Sequence, residues 1–446
     1  MSFSVRFYVM RSMKLLKFVL PLAAAVAIAR ADAPVDLTLD QALAAVEHAN
    51  VTALLSREAV AQAVEAANQQ RVNLLPQVAF SASQQRALIV STQSAVLVQS
   101  GPGNRFNGLL TANYNLLDPS QIENYRSART AVKGAQLDYQ ATLQSVLAVV
   151  ADAYFTHLHD LHRIDVLDSN LSRDKSLLDL AQAQLHAGVA TQIDVTRAEA
   201  ELATDEQARL QQDTTVYQSE LQFKRLLDLD LGQPLKLADF SVQQVDATEF
   251  DVGTEQHAFA VRPDYLSGKS LLKQNQQDVL AAKYENLPTL SLVGDYGQAQ
   301  LRAFDGSAKE EWLAGVEFDL PIFDGLKARA DRRAALSHLR AQERSLRDLT
   351  TQVSSEVRLA IQDARSRFAQ IALAQKSFQL ADEQLRLASL RFKQGVADNQ
   401  EVIDAQNGLT VAEDGLNDAV YQYNLSRVEL ARAKGEVREI LQEKAP

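Results

Sequence analysis

Carboxylates gather just after two glycines. Gly188, in His186-Ala-Gly-Val-Ala190, is followed by Asp194 and Arg197. Gly395, in Lys393-Gln-Gly-Val-Ala397, is followed by Asp398, Glu401 and Asp404. Glu401 and Asp404 are three apart and share a face if the segment is helical. Carboxylates confined together bind cations, exclude anions and raise one another's pKa values. Just inside a helix N-terminus they also favour the helix dipole, a purely structural use. Both readings stand at this point.

His157, His159 and His162 form a second cluster. Only His159 and His162 share a helix face, and metal ligation on a helix commonly uses i, i+4 spacing with convergent partners. They are weak metal candidates, and solvent or interhelix histidines are the simpler reading. The chain carries no cysteine. That excludes disulfides, Cys-based zinc, iron–sulfur clusters, a cysteine nucleophile and a lipid anchor on cysteine. There is no Gly-rich phosphate loop, no Gly-x-Ser-x-Gly and no His-Glu-x-x-His. No catalytic constellation or cofactor is expected. The net charge of −11 argues against nucleic acid.

The elements that must position these residues begin after a targeting segment. Arg6, Arg11, Lys14 and Lys17 precede an apolar run over 18–29, and Ala29-Arg30-Ala31 closes it as a small-x-small signature. Cleavage after Ala31 is expected, with Met10 or Met13 as alternative starts. The mature chain then holds 40 basic against 56 acidic residues, a net of −16. The run is short for a transmembrane helix, which needs ~20 residues. No later segment reaches 18 consecutive apolar residues, so a helical membrane protein is excluded, but a β-barrel is not.

Prolines divide the rest. Residues 120–233 and 322–445 contain none and are rich in Ala, Leu, Gln, Glu, Asp and Arg. Leu143, Leu147, Val150, Tyr154, Leu158 and Leu161 recur in steps of three and four, as do Val353, Val357, Ile361, Ala364, Phe368 and Ile371. Each tract breaks once, at Gly188 or Gly395, a usual helix C-cap. Each therefore reads as a long helix, a tight turn and a second helix. Helices over 120–187 and 324–393 would each run ~100 Å at 1.5 Å per residue, the dimension of a bridge across a compartment.

Between the helices lie segments of period two, 77–83 with 106–117 and 289–296 with 312–320, which read as strands. Leu290, Leu292 and Tyr296 fall on one side, Ser291 and Asp295 on the other; Trp312, Val316, Phe318 and Leu320 alternate likewise. Polar loops are expected around 100–104 and 305–310. An ordinary soluble hairpin is the alternative, but four strands beside 100 Å helices need other copies for a stable sheet.

The chain is an internal repeat. At an offset of 207, Val150 meets Val357, Leu178 meets Leu385, Val195 meets Val402 and Leu202 meets Leu409. Leu75-Pro76 matches Leu287-Pro288, and Leu117-Asp118 matches Phe323-Asp324. The order helix, strand, strand, long helix, turn, helix occurs twice.

These residues carry a resemblance to the TolC-like outer membrane efflux proteins over essentially the whole mature chain. Leu37-Thr-Leu-Asp-Gln-Ala-Leu43 resembles the family's first-helix motif and Arg262-Pro-Asp264 the one opening its second repeat. The Gly-Val-Ala turns, with Ile193-Asp194-Val195 and Val402-Ile403-Asp404, resemble its two hairpin tips. The resemblance implies a mainly α fold with a small β part. The expected division is a signal peptide over 1–31, a first repeat over 32–254 and a second over 255–446. It implies a homotrimer in the cell outer membrane, four strands per chain making a 12-stranded barrel and the helices a coiled-coil tunnel through the periplasm. The linker 232–254 and the C-terminal end would join a belt midway. It implies the outer membrane channel of a tripartite efflux or type I secretion system, passively exporting small molecules such as drugs or metals, or proteins. Its partners would be itself, outer membrane lipid, a periplasmic adaptor and an inner-membrane pump of RND, ABC or MFS type.

By the same resemblance Glu401 and Asp404 ring the periplasmic entrance and Asp194 links neighbouring helices in the closed state; Arg197, three residues on, is within reach as a partner. Asp398 departs from relatives that place a basic clamp there. The turns Gly188-Val189 and Gly395-Val396 would dock the adaptor. The alternative is a periplasmic coiled-coil adaptor or scaffold without a barrel, which predicts neither lipid-facing alternation nor a duplicated four-strand order.

Overall fold

The computed structural model describes residues 35–93, 96–239, 253–303, 306 and 308–438. The expected export signal, most of the linker over 240–252 and the last residues from 439 lie outside them.

The two proline-free tracts are helical hairpins. Helix α3 (Pro119–His186) and helix α7 (Lys327–Lys393) have 68 and 67 residues, about 100 Å each at 1.5 Å per residue. Each is followed after its glycine turn by a shorter helix, α4 (Gln192–Leu226) and α8 (Asn399–Lys434). The repeated Leu-Asp and Phe-Asp pairs set the starts. Asp118 accepts the Gln121 amide at 3.0 Å, with Pro119 in the first turn. Asp324 accepts the amides of Leu326 and Ala328 at 2.9 and 2.7 Å. Both satisfy donors that a helix start leaves open.

Two further helices, α2 (Val51–Val72) and α6 (Pro263–Tyr284), flank the halves of the long helices nearest the sheet. The lateral order there is α2, α3, α6, α7; in the far half it is α4, α3, α8, α7. The long helices thus keep partners along their whole length.

The strands form one antiparallel sheet, ordered β2 (Gln77–Gln93), β3 (Val96–Leu117), β5 (Thr289–Gln300) and β6 (Lys309–Asp319). Register puts two chemistries on its two faces. Val78 pairs with Ala112, Phe80 with Leu110, Tyr114 with Leu292, Tyr296 with Trp312 and Leu292 with Val316. Leu110 also pairs with Tyr296, so this apolar row crosses all four strands. Phe80, Tyr296, Trp312, Val316 and Phe318 are all exposed on it. The other face pairs Gln77 with Asn113, Thr111 with Asp295 and Ser291 with Glu317. β5 and β6, at 12 and 11 residues, suit a tilted strand crossing a bilayer, which takes about 9–11. Among the described residues no helix is long and apolar enough to cross a membrane.

The loop expected around 100–104 is not a loop. Those residues lie inside β3, and the β2–β3 ladder runs on to Gln93 with Val96, beyond the reach of the short strands expected from alternation. Flanking β-branched residues extend both strands, and the Gly-Pro-Gly step is absorbed as a bulge where Ala87 pairs with Gly103 and Ile89 with Ser100. A bulge lets proline sit in a strand without breaking the ladder. The second pair is shorter: β5 ends at Gln300 and β6 begins at Lys309.

The main core sits midway along α3. Strand β1 (Val35–Leu37) pairs in parallel with β4 (Leu235–Leu237), nearly 200 residues away. Tyr154, fully buried on α3, donates its hydroxyl to Ala238 O at 2.5 Å and so fixes this pair to the helix. Leu43 and Val46 of helix α1 (Leu39–Ala49), Leu147, Val150 and Phe223 close the cluster. Arg262, which ends helix α5 (Gly253–Val261), forks between Asp264 and Glu356 at 2.7 Å each and donates to Ala433 O at 3.2 Å. Gly435 ends α8 with φ +84°, and a Cβ there would stand 3.1 Å from Arg262 Cα. The Arg-Pro-Asp motif therefore ties the second repeat's opening to its closing.

Candidate functional site: the two hairpin tips

Both tips are built alike. Gly188 and Gly395 adopt φ +76° and +70°, conformations that strain any residue with a Cβ. The amides after them turn back onto the preceding helix: Val189 N to Gln184 O and Val396 N to Arg391 O, each 3.0 Å. This leaves Val189, Ile193 and Val396 exposed at the very end. Beneath the tips Leu177, Phe392, Val402, Ile403 and Ala405 pack together across the two hairpins.

The same position in each tip carries an acid, and side-chain length decides its use. Asp194 is short. Its Oδ2 accepts from Thr191 N at 2.8 Å and from Thr191 Oγ at 2.7 Å. Those two bonds, helped by Arg197 at 3.9 Å, hold its carboxyl below the usual range. Glu401 has one more methylene and reaches across its turn to Arg391 at 2.7 Å. Asp398 is the N-cap of α8 and accepts the Glu401 amide at 3.4 Å. Asp404 is exposed and accepts from Gln400 at 2.7 Å. Glu401 and Asp404 do share the solvent side of α8, since Val402, Ile403, Ala405 and Gln406 between and after them are buried.

Asp194 does contact the neighbouring hairpin, but not through its carboxylate. Its carbonyl oxygen accepts from the buried Asn399 side chain at 2.7 Å. Neither Asn399 nor Arg391 was singled out by sequence reasoning. Both leave a signal there: Arg391 and Glu401 stand five residues either side of Val396, so a tight hairpin faces them, and Asn399 is a polar residue at a seam position.

The histidines go to separate partners. His157 meets Ser219 at 3.0 Å, His159 meets Asp418 at 2.7 Å and His162 meets Asp239 at 3.6 Å. Among the described residues no group of three or more His, Asp or Glu is arranged to hold a metal ion. His159 instead joins α3 to α8. Burial alone lowers its pKa, but hydrogen bonds to Asp160 and Asp418 outweigh that and hold it above the ordinary value. Further along the same seam Arg163 stands 3.7 Å from Asp414 and Arg173 2.9 Å from Glu413.

A two-faced four-stranded sheet carried on paired helices of this length is the fold of a TolC-like outer membrane channel. The CmeC outer membrane channel of Campylobacter jejuni superposes with a TM-score of 0.78 at 21% identity, covering 90% of this chain and 86% of that one. The chain belongs to the outer membrane efflux protein family, which matches it over residues 37–228 and 256–436. It is 26% identical over 330 residues to the outer membrane protein OprJ of Pseudomonas aeruginosa, covering 72% of this chain and 66% of OprJ. It is 25% identical over 387 residues to the probable efflux pump outer membrane protein TtgC of Pseudomonas putida, covering 82% of this chain and 76% of TtgC. The family is that of outer membrane efflux proteins, and the chain spans 66% and 76% of the length of these two relatives.

Proposed function

We propose that three copies of this chain assemble into a passive export duct, residues 32–254 and 255–446 forming its two repeats after loss of 1–31. Three four-stranded sheets close into a 12-stranded barrel in the outer membrane. The helices, side by side, form a tunnel of about 100 Å through the periplasm. The observation that carries this reading is the sheet's division into an apolar and a polar face. Closed on itself, the apolar face meets lipid and the polar face lines water. It also removes the open edges of β2 and β6, which a lone sheet leaves exposed.

The tips are the entrance. Glu401 and Asp404 from three chains bring six carboxylates to one mouth, where they favour cations and repel anions. Asp194, Arg197 and Asp398 shape the turns that carry them. The duct has no energy source of its own, so an inner-membrane pump must supply it, of the RND, ABC or MFS kind, through a periplasmic adaptor. The adaptor docks around Gly188-Val189 and Gly395-Val396, where exposed valines offer apolar contact. OprJ and TtgC are named for the outer membrane and, in the second case, an efflux pump, which supports this class of partner. The cargo is set by the pump.

The mass of the mature protein in detergent tests the assembly. Light scattering giving three chains supports it; a monodisperse single chain with native helicity overturns it.

A further inference from the structure

The first turns of α7 carry Arg329, Arg332, Arg333, Arg340, Arg344 and Arg347. Steps of 3, 1, 7, 4 and 3 put all six within about 120° of arc at 100° per residue. All six are exposed, and among the described residues none makes an ion pair or a side-chain hydrogen bond. Lys327, on a different side of the helix, is already paired with Asp331 and Glu285. Glu343 lies within the arc and Asp348 beside it, so four positive charges remain in excess on a chain of net −11.

The direction of the stripe is fixed by what lies opposite. Gln342, Leu346 and Leu349 face α6: Gln342 donates to Gly268 O, and a Cβ on Gly268 would stand 3.2 and 3.3 Å from Leu346 and Leu349. The arginines point the other way, off the end of the lateral order α2, α3, α6, α7. The opposite end of that order is α2. Its Ala53 and Ala67 are buried against the chain, and Glu58 and Glu65 lie about 120–180° away, exposed on the free side. Among the described residues Glu65 meets only Asn68 of its own helix, at 3.2 Å. Arg57 and Arg71 sit off that face. One lateral edge of the chain is therefore basic and the other acidic.

We propose that the α7 arginine stripe is the seam that grips the Glu58–Glu65 face of α2 in a second copy of this chain. An interface between two different edges is head-to-tail and closes only as a ring. It is continuous with the sheet, because α2 leads into the edge strand β2 and the edge strand β6 leads into α7. Contacts across the chain (Asn73 with Gln121, Ser120 with Ala281, Lys327 with Glu285, Gln342 with Gly268) set the level. They bring Glu65 opposite Arg340, and Glu58 opposite Arg344 and Arg347. Opposite charges so arranged steer the encounter and fix its register more than they add affinity. This seam rests on the trimer reading and specifies its contact.

The chain has no cysteine, so introduced cysteines are its only thiols. Outer membranes carrying Glu65→Cys with Arg340→Cys, or Glu58→Cys with Arg347→Cys, should give dimer and trimer ladders with a short bis-maleimide. Each single variant should give none. Reversing Glu58→Arg with Glu65→Arg should speed trimer dissociation in detergent about tenfold, as expected for losing two or three exposed pairs. Adding Arg340→Glu with Arg344→Glu should restore it. A trimeric mass without ladders and with unchanged dissociation overturns the seam and leaves the ring. A wild-type chain that is monomeric overturns the ring and the seam together.

Discussion

Asn399 reaches from the second hairpin tip and donates its side-chain amide to the main-chain oxygen of Asp194 in the first, 2.7 Å away. It is fully buried. The two tips of one chain are thereby locked as a unit, and the lock uses an oxygen that no substitution at Asp194 removes. Replacing Asn399 with alanine removes this bond between the tips, while the oxygen keeps its partner within α4, at a cost of about 0.5–1.5 kcal/mol. Asn399→Ala should loosen the tips and raise single-channel conductance, while the thermal midpoint of the helices as a whole falls little. Conductance equal to the native channel would refute this role.

The acidic mouth makes a second prediction. Glu401→Ala with Asp404→Ala should weaken block of the channel by divalent and trivalent cations, because six carboxylates are then missing from three tips. The Glu401 change also leaves the three Arg391 charges unneutralised, which pushes selectivity the same way. Cation block in planar bilayers is the readout, and block at native concentrations rejects the gate assignment.

Asp174 on α3 gives a pH dependence. Burial, then a hydrogen bond with Asp205 of α4 and the charges of Asp205 and Glu201, push its carboxyl up to about 8, against the lowering pull of Arg173. Between its ordinary 3.8 and about 8 the folded chain holds a proton that the unfolded chain releases. Stability of the first hairpin therefore falls as pH rises through this window and levels off above it. Asp174→Asn, which keeps a donor without a charge, should flatten that slope between pH 5 and 8. Hydrogen exchange along α3 and α4 measures it, and an unchanged slope in the variant contradicts the assignment.

Gly297 marks where two strands meet too closely for any side chain. A Cβ there would lie 2.0 Å from Gly108 O and 2.8 Å from Leu109 Cα. Backbone cannot yield by that much, so Gly297→Val should break the β3–β5 ladder and abolish insertion into the membrane. The helices, which do not depend on the sheet for their caps, should keep their helical circular dichroism. Normal trimer yield in the outer membrane would rule this out.

Much of this fold is local in sequence and was readable for that reason. The 68-residue helix needs only good helix formers without proline, Asp118 before Pro119 to start it and Gly188 to end it. The sheet's two faces follow from period two, as Leu290, Leu292 and Tyr296 against Ser291 and Asp295. What was unreadable depends on distant partners. The parallel pair of Val35–Leu37 with Leu235–Leu237 joins two three-residue strands, too short for their alternation to mark them. The Gly-Pro-Gly at 101–103 looks like a turn until its partner strand absorbs it as a bulge. At the tips the acids were visible but not their division of labour, which turns on one methylene: Asp194 folds back to Thr191, while Glu401 crosses to Arg391.

Single-channel recording of the purified mature protein in a planar bilayer tests the central claim most directly. A membrane-spanning duct narrowed by an acidic mouth should give small, cation-selective unitary currents from a trimeric species. Well-folded protein that inserts no conducting channel, or conducts with anion selectivity, would contradict it.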